Sequence, residues 1–147
     1  MDPRDFYTLA HDLVDSDSAA DLRSAISRSY YAAFLVGSEA LRAFGFRVPE
    51  SPGAHEGLAQ RLSNCANSEV QLAGRKLQDL RARRLDADYR MSNTNVEKKA
   101  NAKIIVEQSR EVIEALDTAW PNDEKDKIVS SILHYETTVL GTIWRSP

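Results

Sequence analysis

The chain has 147 residues, a length that suits one compact domain, and 42% of them are hydrophobic, which is enough to build a core. Six glycines and five prolines are few for a turn-rich β fold, and the formal net charge of −3 excludes a global basic field that would attract nucleic acid. A single cysteine, Cys65, excludes an internal disulfide, and since no Cys/His cluster indicates zinc we expect neither a metal nor another cofactor.

The N-terminal segment MDPRDFYTLAHDLV carries charges where a signal peptide would need an apolar run. No stretch of the sequence approaches the roughly 18–20 apolar residues of a membrane span. We therefore expect a cytoplasmic protein with no membrane element. The same segment predicts a first helix that starts after Asp2 and Pro3, with the aspartate as its N-cap.

A second helix is predicted over about residues 19–44, with Gly45 as its C-cap. Small and large residues alternate along its apolar stripe, which lets another helix approach closely. A loop is expected over residues 47–57, and a short helix that uses His55 and Leu62 follows it. A fourth helix is predicted over about residues 69–89 and a fifth over about 96–120, where Pro121 ends it.

Residues 123–144 place apolar side chains at three- and four-residue steps, which predicts an amphipathic helix. The sequence thus predicts an all-α protein: an up-down bundle of four to five helices over residues 1–120 and a C-terminal amphipathic extension over residues 121–147. The acidic start of the extension, DEKDK, argues against an anionic membrane surface. We expect it to dock on its own bundle or on a second copy of the chain.

The predicted fourth helix has an arginine where a leucine would be expected. On a helical wheel, Arg84 falls near the middle of an apolar arc, and Arg81 and Asp88 lie at its edge. By contrast, Arg83 and Arg90 lie well away from the arc, where water is the expected neighbour. The arc consists of Val70, Ala73, Leu77, Leu80 and Ala87.

A buried guanidinium without a partner costs several kcal/mol, so Arg84 needs a carboxylate or another anion. Asp88, four residues on, is the local candidate. A polar seam between packed helices would explain the pair structurally, whereas a phosphate ligand would explain it functionally. Between Arg75 and Arg90 six basic and three acidic residues form a modest basic patch. Both explanations stay open.

Two segments of the chain resemble the HEPN superfamily, in particular its small stand-alone prokaryotic members. Residues 23–34, RSAISRSYYAAF, are similar to the second helix of that family, which often reads R-x-A-x-S-R-x-Y-Y-A-A-F. Residues 80–89, LRARRLDADY, are similar to its L-R-x-x-R-x-x-A-D-Y run. His55 sits in a loop where these proteins often have histidine. The resemblance covers about residues 5–118.

The resemblance implies a helical bundle that forms a homodimer, with RNA or a nucleotide as ligand and, in some members, a nucleotidyltransferase antitoxin as partner. Active members cut RNA without metal, as the ribose 2′-OH attacks the adjacent phosphorus. Their catalytic arginine is followed four to six residues later by histidine. Arg84 matches that arginine, but Tyr89 stands where the histidine would be.

That difference matters for the chemistry, because a general base works best with a pKa near 7. Histidine titrates close to that value, whereas tyrosine has a pKa of about 10, and the three units between 7 and 10 correspond to about 4 kcal/mol of driving force. Tyr89 can still donate a hydrogen bond to a phosphate oxygen. It lies about 140° from Arg84 on the wheel, so the two do not share one narrow face.

His55 is the candidate for the missing acid or base, although a histidine that caps a helix is the commoner case. Tyr30 could stack on a base, but its place on the apolar arc predicts a core residue. The catalytic candidates are therefore Arg84, Asp88, Tyr89 and His55, and the expected nucleic-acid contacts are Arg81, Arg83 and Arg28.

Three hypotheses follow. The first is an RNA-directed protein of the HEPN type, acting as a metal-independent endoribonuclease of a toxin–antitoxin or defence system, or as a weakened descendant. The second is a non-catalytic module that binds a nucleotide, RNA or a nucleotidyltransferase. The third is an assembly subunit held together by the C-terminal extension.

Overall fold

The computed structural model describes residues 1–120 and 122–145, without the side chains of 122 and 123, and confirms the predicted all-α bundle. Six helices pack together, and no strand forms in the described ranges. A 3₁₀ turn, Thr94–Glu97, precedes the fifth helix, and a π-helical turn, Glu136–Leu140, continues the sixth. The helices are α1 (Arg4–Leu13), α2 (Ala19–Ala43), α3 (Gly53–Ser63), α4 (Ser68–Tyr89), α5 (Lys99–Thr118) and α6 (Asn122–Tyr135).

The helix ends follow from local capping. Ser18 caps α2 by accepting a hydrogen bond from the Asp21 amide at 3.4 Å, and Asn67 caps α4 by accepting one from the Val70 amide at 3.0 Å. Gly45 follows α2 with a φ of +89°, a left-handed conformation that favours glycine, as its predicted role requires. The capping residues therefore set the bounds of the two longest helices.

The core lies around α2, which packs on α1, α4 and α5. The predicted close approach is confirmed at Gly37, where an added Cβ would lie 3.2 Å from Leu58 of α3. Gly74 likewise lets α4 approach α3 closely, because an added Cβ would lie 2.5 Å from the Ser63 backbone nitrogen. All the predicted inward residues of α5 are buried: Ala102, Ile105, Val106, Val112, Ile113 and Leu116.

Two predicted boundaries were wrong. The short helix begins at Gly53, so the loop before it is shorter than residues 47–57. The fifth helix begins at Lys99, because the 3₁₀ turn takes the residues before it. Pro121, predicted to end that helix, lies outside the described residues.

The C-terminal extension is helical only in part. Ile128 and Ile132 of α6 are buried as predicted, but Val139 is 64% exposed and Ile143 is 55% exposed. Gly141, whose φ of +68° ends the helical run, turns the chain so that Trp144 is buried while Ile143 is exposed. None of the described helices has the length and apolar character needed to cross a membrane.

Candidate functional site

An open groove of about 670 Å³ lies between α2, the C-terminal half of α4 and the loop that precedes α3. Four of the seven residues singled out by the sequence contribute directly to its lining: Arg81, Arg84, Tyr89 and His55. The remaining lining residues are Phe34, Leu35, Arg42, Pro49, Glu50, Ser51, Pro52 and Leu85.

Arg84 lies partly buried at the base of this groove, with 12% of its side chain exposed, in keeping with its place on the apolar arc. Its Nε lies 2.9 Å from Oδ2 of Asp88, although the N–H bond is not directed at that oxygen, so the contact is an ion pair rather than a hydrogen bond. Nη2 donates a hydrogen bond to the Tyr31 hydroxyl at 2.5 Å. Among the described residues Nη1 has no hydrogen-bond partner, which leaves one edge of the guanidinium for a ligand.

Aromatic rings surround the same guanidinium. Its central carbon lies 5.0 Å from the centroid of Tyr31, 5.6 Å from that of Tyr89 and 6.0 Å from that of Tyr30. Cation–π attraction stabilises an arginine in such a cradle. Tyr89 is 68% exposed, so it reaches the cation from the solvent side even though the wheel places the two residues on different faces.

Asp88 connects α4 to α2. Besides the ion pair with Arg84, its Oδ2 accepts a hydrogen bond from the Ser27 hydroxyl at 3.1 Å. One carboxylate oxygen thus serves both helices, and Asp88 acts in this site as the anchor of Arg84.

His55 lies in the first turn of α3, on the opposite wall of the groove. Its ring stacks on Phe34 with centroids 4.2 Å apart, and its Nδ1 lies 2.7 Å from the Tyr30 hydroxyl. Burial lowers the pKa of His55, and the positive charges of Arg84 and Arg81 lower it further. The imidazole is therefore neutral at neutral pH.

The three arginines expected to contact nucleic acid lie in different places. Arg81 lines the groove and makes no ion pair with a described carboxylate. Arg83 is 57% exposed on another face of α4, where it pairs with Asp86 at 3.6 Å. Arg28 lies beside the groove, with its guanidinium 5.5 Å from the Phe6 ring and 5.6 Å from the Tyr31 ring. Of these three, only Arg81 faces the same space as Arg84.

The groove is locally positive in an acidic chain. Arg42, Arg81 and Arg84 line it, whereas Glu50 is its single acidic lining residue and Asp88, outside the lining, pairs with Arg84. Within the described ranges no carboxylate lies in ion-pair distance of Arg42 or Arg81, so these charges are available to an anionic ligand. No cluster suited to a metal ion occurs among the described side chains.

Sequence reasoning missed the hydrogen bonds by which α2 holds the site residues. Tyr30 was predicted as core, and it is fully buried, but its hydroxyl also holds His55. Ser27 and Tyr31 hold Asp88 and Arg84, respectively. Tyr30 and Tyr31 follow Ser27 by three and four residues, and residues so spaced share one face of a helix. This spacing could have indicated that the three residues contact the same site.

Arg23, on the same stripe, was also missed. It is buried, pairs with Glu97 at 2.6 Å, and donates to the carbonyls of Ala87 at 2.9 Å and Asn93 at 3.1 Å. These carbonyls belong to the last turn of α4 and the chain after it, which otherwise lack donors. Arg23 therefore fixes the end of α4 that carries the groove residues.

Comparison of the chain with family models, with curated proteins and with solved structures found no match in any of the three. The likeness to HEPN proteins accordingly rests on the two sequence segments, and the chemistry of the groove is argued from its own side chains.

Proposed function

We propose that this chain is a HEPN-type RNA-directed protein and that its groove binds the phosphodiester backbone of RNA. The observation that carries the proposal is Arg84, a nearly buried guanidinium with Nη1 left without a protein partner, in a groove that also holds Arg81 and His55. A planar guanidinium fork matches the geometry of a phosphate. The two segments that resemble HEPN proteins carry most of these residues.

Charge and shape both favour a single strand as the ligand. Cationic side chains on two walls suit a phosphate, and the exposed ring of Tyr89 beside them offers a surface on which a base can stack. Because only three arginines line the groove and the chain has a formal net charge of −3, affinity should come from a few phosphate contacts.

A second candidate function, metal-independent RNA cleavage, is favoured by the position of His55. A neutral imidazole can remove a proton only through an unprotonated nitrogen, so Nδ1 would donate to the Tyr30 oxygen and leave Nε2 for the ribose 2′-OH. The 2′ oxygen would attack phosphorus, the bond to the 5′ oxygen would break, and Tyr89 or water would supply the proton to that leaving oxygen. The products would be a 2′,3′-cyclic phosphate and a 5′-OH, with Arg84 stabilising the charge on the phosphate.

The implied homodimer belongs to the same proposal. Tyr89 and Met91 are 68% and 61% exposed at the end of α4, beside the groove. A second copy of the chain that covered them would place two grooves in one shared cleft. The mass of the protein in solution tests this, and a monomer at micromolar concentration would remove the shared cleft.

Binding is tested with a fluorescently labelled single-stranded RNA oligonucleotide and anisotropy. Arg84→Ala removes a charge-assisted hydrogen bond of about 1.5–3 kcal/mol, so we expect affinity to fall about 10- to 100-fold. The matched control is Arg75→Ala, which removes the same charge from an exposed position of the same helix. Equal losses of RNA affinity in the two variants would show nonspecific charge attraction and would contradict the assignment of the groove as the binding site.

Cleavage is tested separately, by mapping RNA ends after incubation with and without a chelator. The proposal expects cyclic phosphate ends from the wild type in both conditions and none from His55→Gln. RNA that is bound with intact ends would leave the binding function in place and remove the catalytic one.

A further inference from the structure

A loop of five residues, Val48–Pro52, separates the groove from a second cavity. Pro49 and Ser51 line both spaces, so the loop is a shared wall. The second cavity has a volume of about 430 Å³, and its far side is formed by α3 together with Leu140, Thr142 and Trp144. The C-terminal segment of the chain therefore lies directly behind the wall of the groove.

This segment, Glu136–Arg145, is called the strap below, and it holds the chain where the loop begins. The Arg47 amide donates a hydrogen bond to the Trp144 carbonyl at 2.6 Å, and Phe46 and Arg145 form an antiparallel bridge. The Arg145 Nε also donates to the Phe44 carbonyl at 3.0 Å. Backbone pairing and a side-chain contact thus fix the N-terminal end of the loop.

The strap also holds the chain beyond the other end of the loop, in α3. The indole of Trp144 packs on Gly57 so closely that a Cβ there would lie 2.6 Å from a ring carbon. Gly57 is two residues after His55 in the same helix. The tryptophan therefore contacts the turn of α3 that presents the histidine.

A buried ion pair fixes the strap itself. Arg61 of α3 donates from Nε to Oε1 of Glu136 at 2.7 Å, and their side chains are 2% and 0% exposed. The same carboxylate oxygen accepts the Trp144 amide at 3.1 Å, and the guanidinium carbon lies 3.5 Å from the centroid of the indole. Among the described residues the other carboxylate oxygen, Oε2, is buried without a hydrogen-bond partner. The burial of the two charges is therefore offset only in part, and the pair is better understood as specifying one position for the strap than as adding stability.

We propose that Trp144 and Glu136 are positioning residues for the groove: the strap holds loop 48–52 and the first turn of α3 so that His55 faces Arg84. The expected effect on RNA affinity rests on the proposed function. The placement of the loop and of His55 by the strap does not depend on that function.

The experiment compares three variants of the full chain with the wild type. Trp144→Ala removes the contact with Gly57, Trp144→Phe keeps an aromatic ring there, and Val14→Ala is a control that removes buried volume at the end of α1, away from the strap. Three quantities are measured. The first is loop exchange, meaning the hydrogen-exchange rates of the Phe46 and Arg47 amides, which donate backbone hydrogen bonds at the start of the loop. The others are the pH titration of the His55 imidazole by NMR and the affinity for single-stranded RNA.

We expect Trp144→Ala to speed exchange of the loop amides at least tenfold and to raise the pKa of His55 toward its ordinary value, because burial is the main cause of its lowering. RNA affinity should fall at least fivefold. Trp144→Phe should restore most of each change, and Val14→Ala should leave loop exchange and the His55 titration as in the wild type even if it unfolds more easily.

An unchanged His55 titration and unchanged loop exchange in Trp144→Ala would overturn the proposal. So would equal changes in Val14→Ala, because they would show a general loss of stability. Glu136→Gln keeps the shape of the anchor and serves as a second variant if Trp144→Ala does not fold. If the wild-type protein does not bind RNA, only the proposed function is contradicted, because loop exchange and the His55 titration still test the role of the strap.

Discussion

Arg61 and Arg84 both carry a guanidinium into the bundle, but they differ in how many of its nitrogens the protein itself satisfies. All three nitrogens of Arg61 donate hydrogen bonds: to Glu136, to the Gly57 carbonyl at 3.0 Å and to the Thr142 carbonyl at 2.9 Å. Arg84 has an ion pair at Nε and a hydrogen bond at Nη2, and its Nη1 is left over. The first arginine completes the core, whereas the second opens on a groove.

Burial of a charged residue is thus not in itself a sign of function. A buried ion pair in which each guanidinium nitrogen donates a hydrogen bond within the protein, as at Arg61, specifies how segments of the chain pack. A buried charge with donor capacity left over, beside other cations without partners, indicates a binding site for an anion. The difference between the two regions gives four predictions, described from the largest expected effect to the smallest.

The largest effect should come from breaking the anchor of the strap. Glu136→Leu leaves Arg61 buried without its carboxylate, so we expect the free energy of unfolding to fall by about 3–5 kcal/mol. Chemical denaturation measures this. The double variant Arg61→Met with Glu136→Leu replaces both charges and should recover most of the loss; a double variant as unstable as the single one would contradict the account of this pair.

Arg84→Ala should have a much smaller effect on folding. Its pair with Asp88 is partly open to water, and removing it should lower the free energy of unfolding by about 1 kcal/mol. Chemical denaturation under the same conditions allows direct comparison with the anchor variants. A loss as large as that of Glu136→Leu would make Arg84 a structural residue and erase the contrast between the two regions.

The groove should also make the stability of the fold depend on pH. Because the pKa of His55 is lowered in the folded protein, the unfolded chain binds more protons at acidic pH. The stability that His55 contributes is present above its ordinary pKa of 6.5 and is lost as the pH falls through the lower folded-state value. The wild type should therefore lose more stability than His55→Gln between about pH 8 and about pH 5. Equal losses would show that His55 is not buried as described.

The smallest effect is expected at Arg83. It faces away from the groove and already pairs with Asp86, so Arg83→Ala should change RNA affinity by less than about twofold. Anisotropy with the same oligonucleotide measures it beside Arg84→Ala. A tenfold loss would show that RNA crosses the other face of α4 and would restore Arg83 to the site.

Much of this arrangement could be predicted from local sequence. The apolar arc of α4 indicated the burial of Arg84, and the four-residue spacing indicated its pair with Asp88, because both depend only on helix geometry. The same wheel correctly placed Arg83 and Arg90 toward water.

Contacts between distant segments could not be predicted in this way. Tyr31 and Arg84 are 53 residues apart, and Arg61 and Glu136 are 75 apart, so no local spacing relates them. The C-terminal stripe failed for a related reason: its periodicity continues past Gly141, but the chain turns there to place Trp144 on α3. Periodicity predicts which face of a helix is apolar but not where a neighbouring segment ends that helix.

The most direct test of the central claim is to follow the side-chain Nε–H resonances of Arg84 and Arg61 by NMR while single-stranded RNA is added. If the groove binds phosphate through Arg84, its resonance should shift with the bound fraction, and that of Arg61, in the same protein and the same sample, should stay in place. An Arg84 resonance that does not move at saturating RNA would contradict the claim.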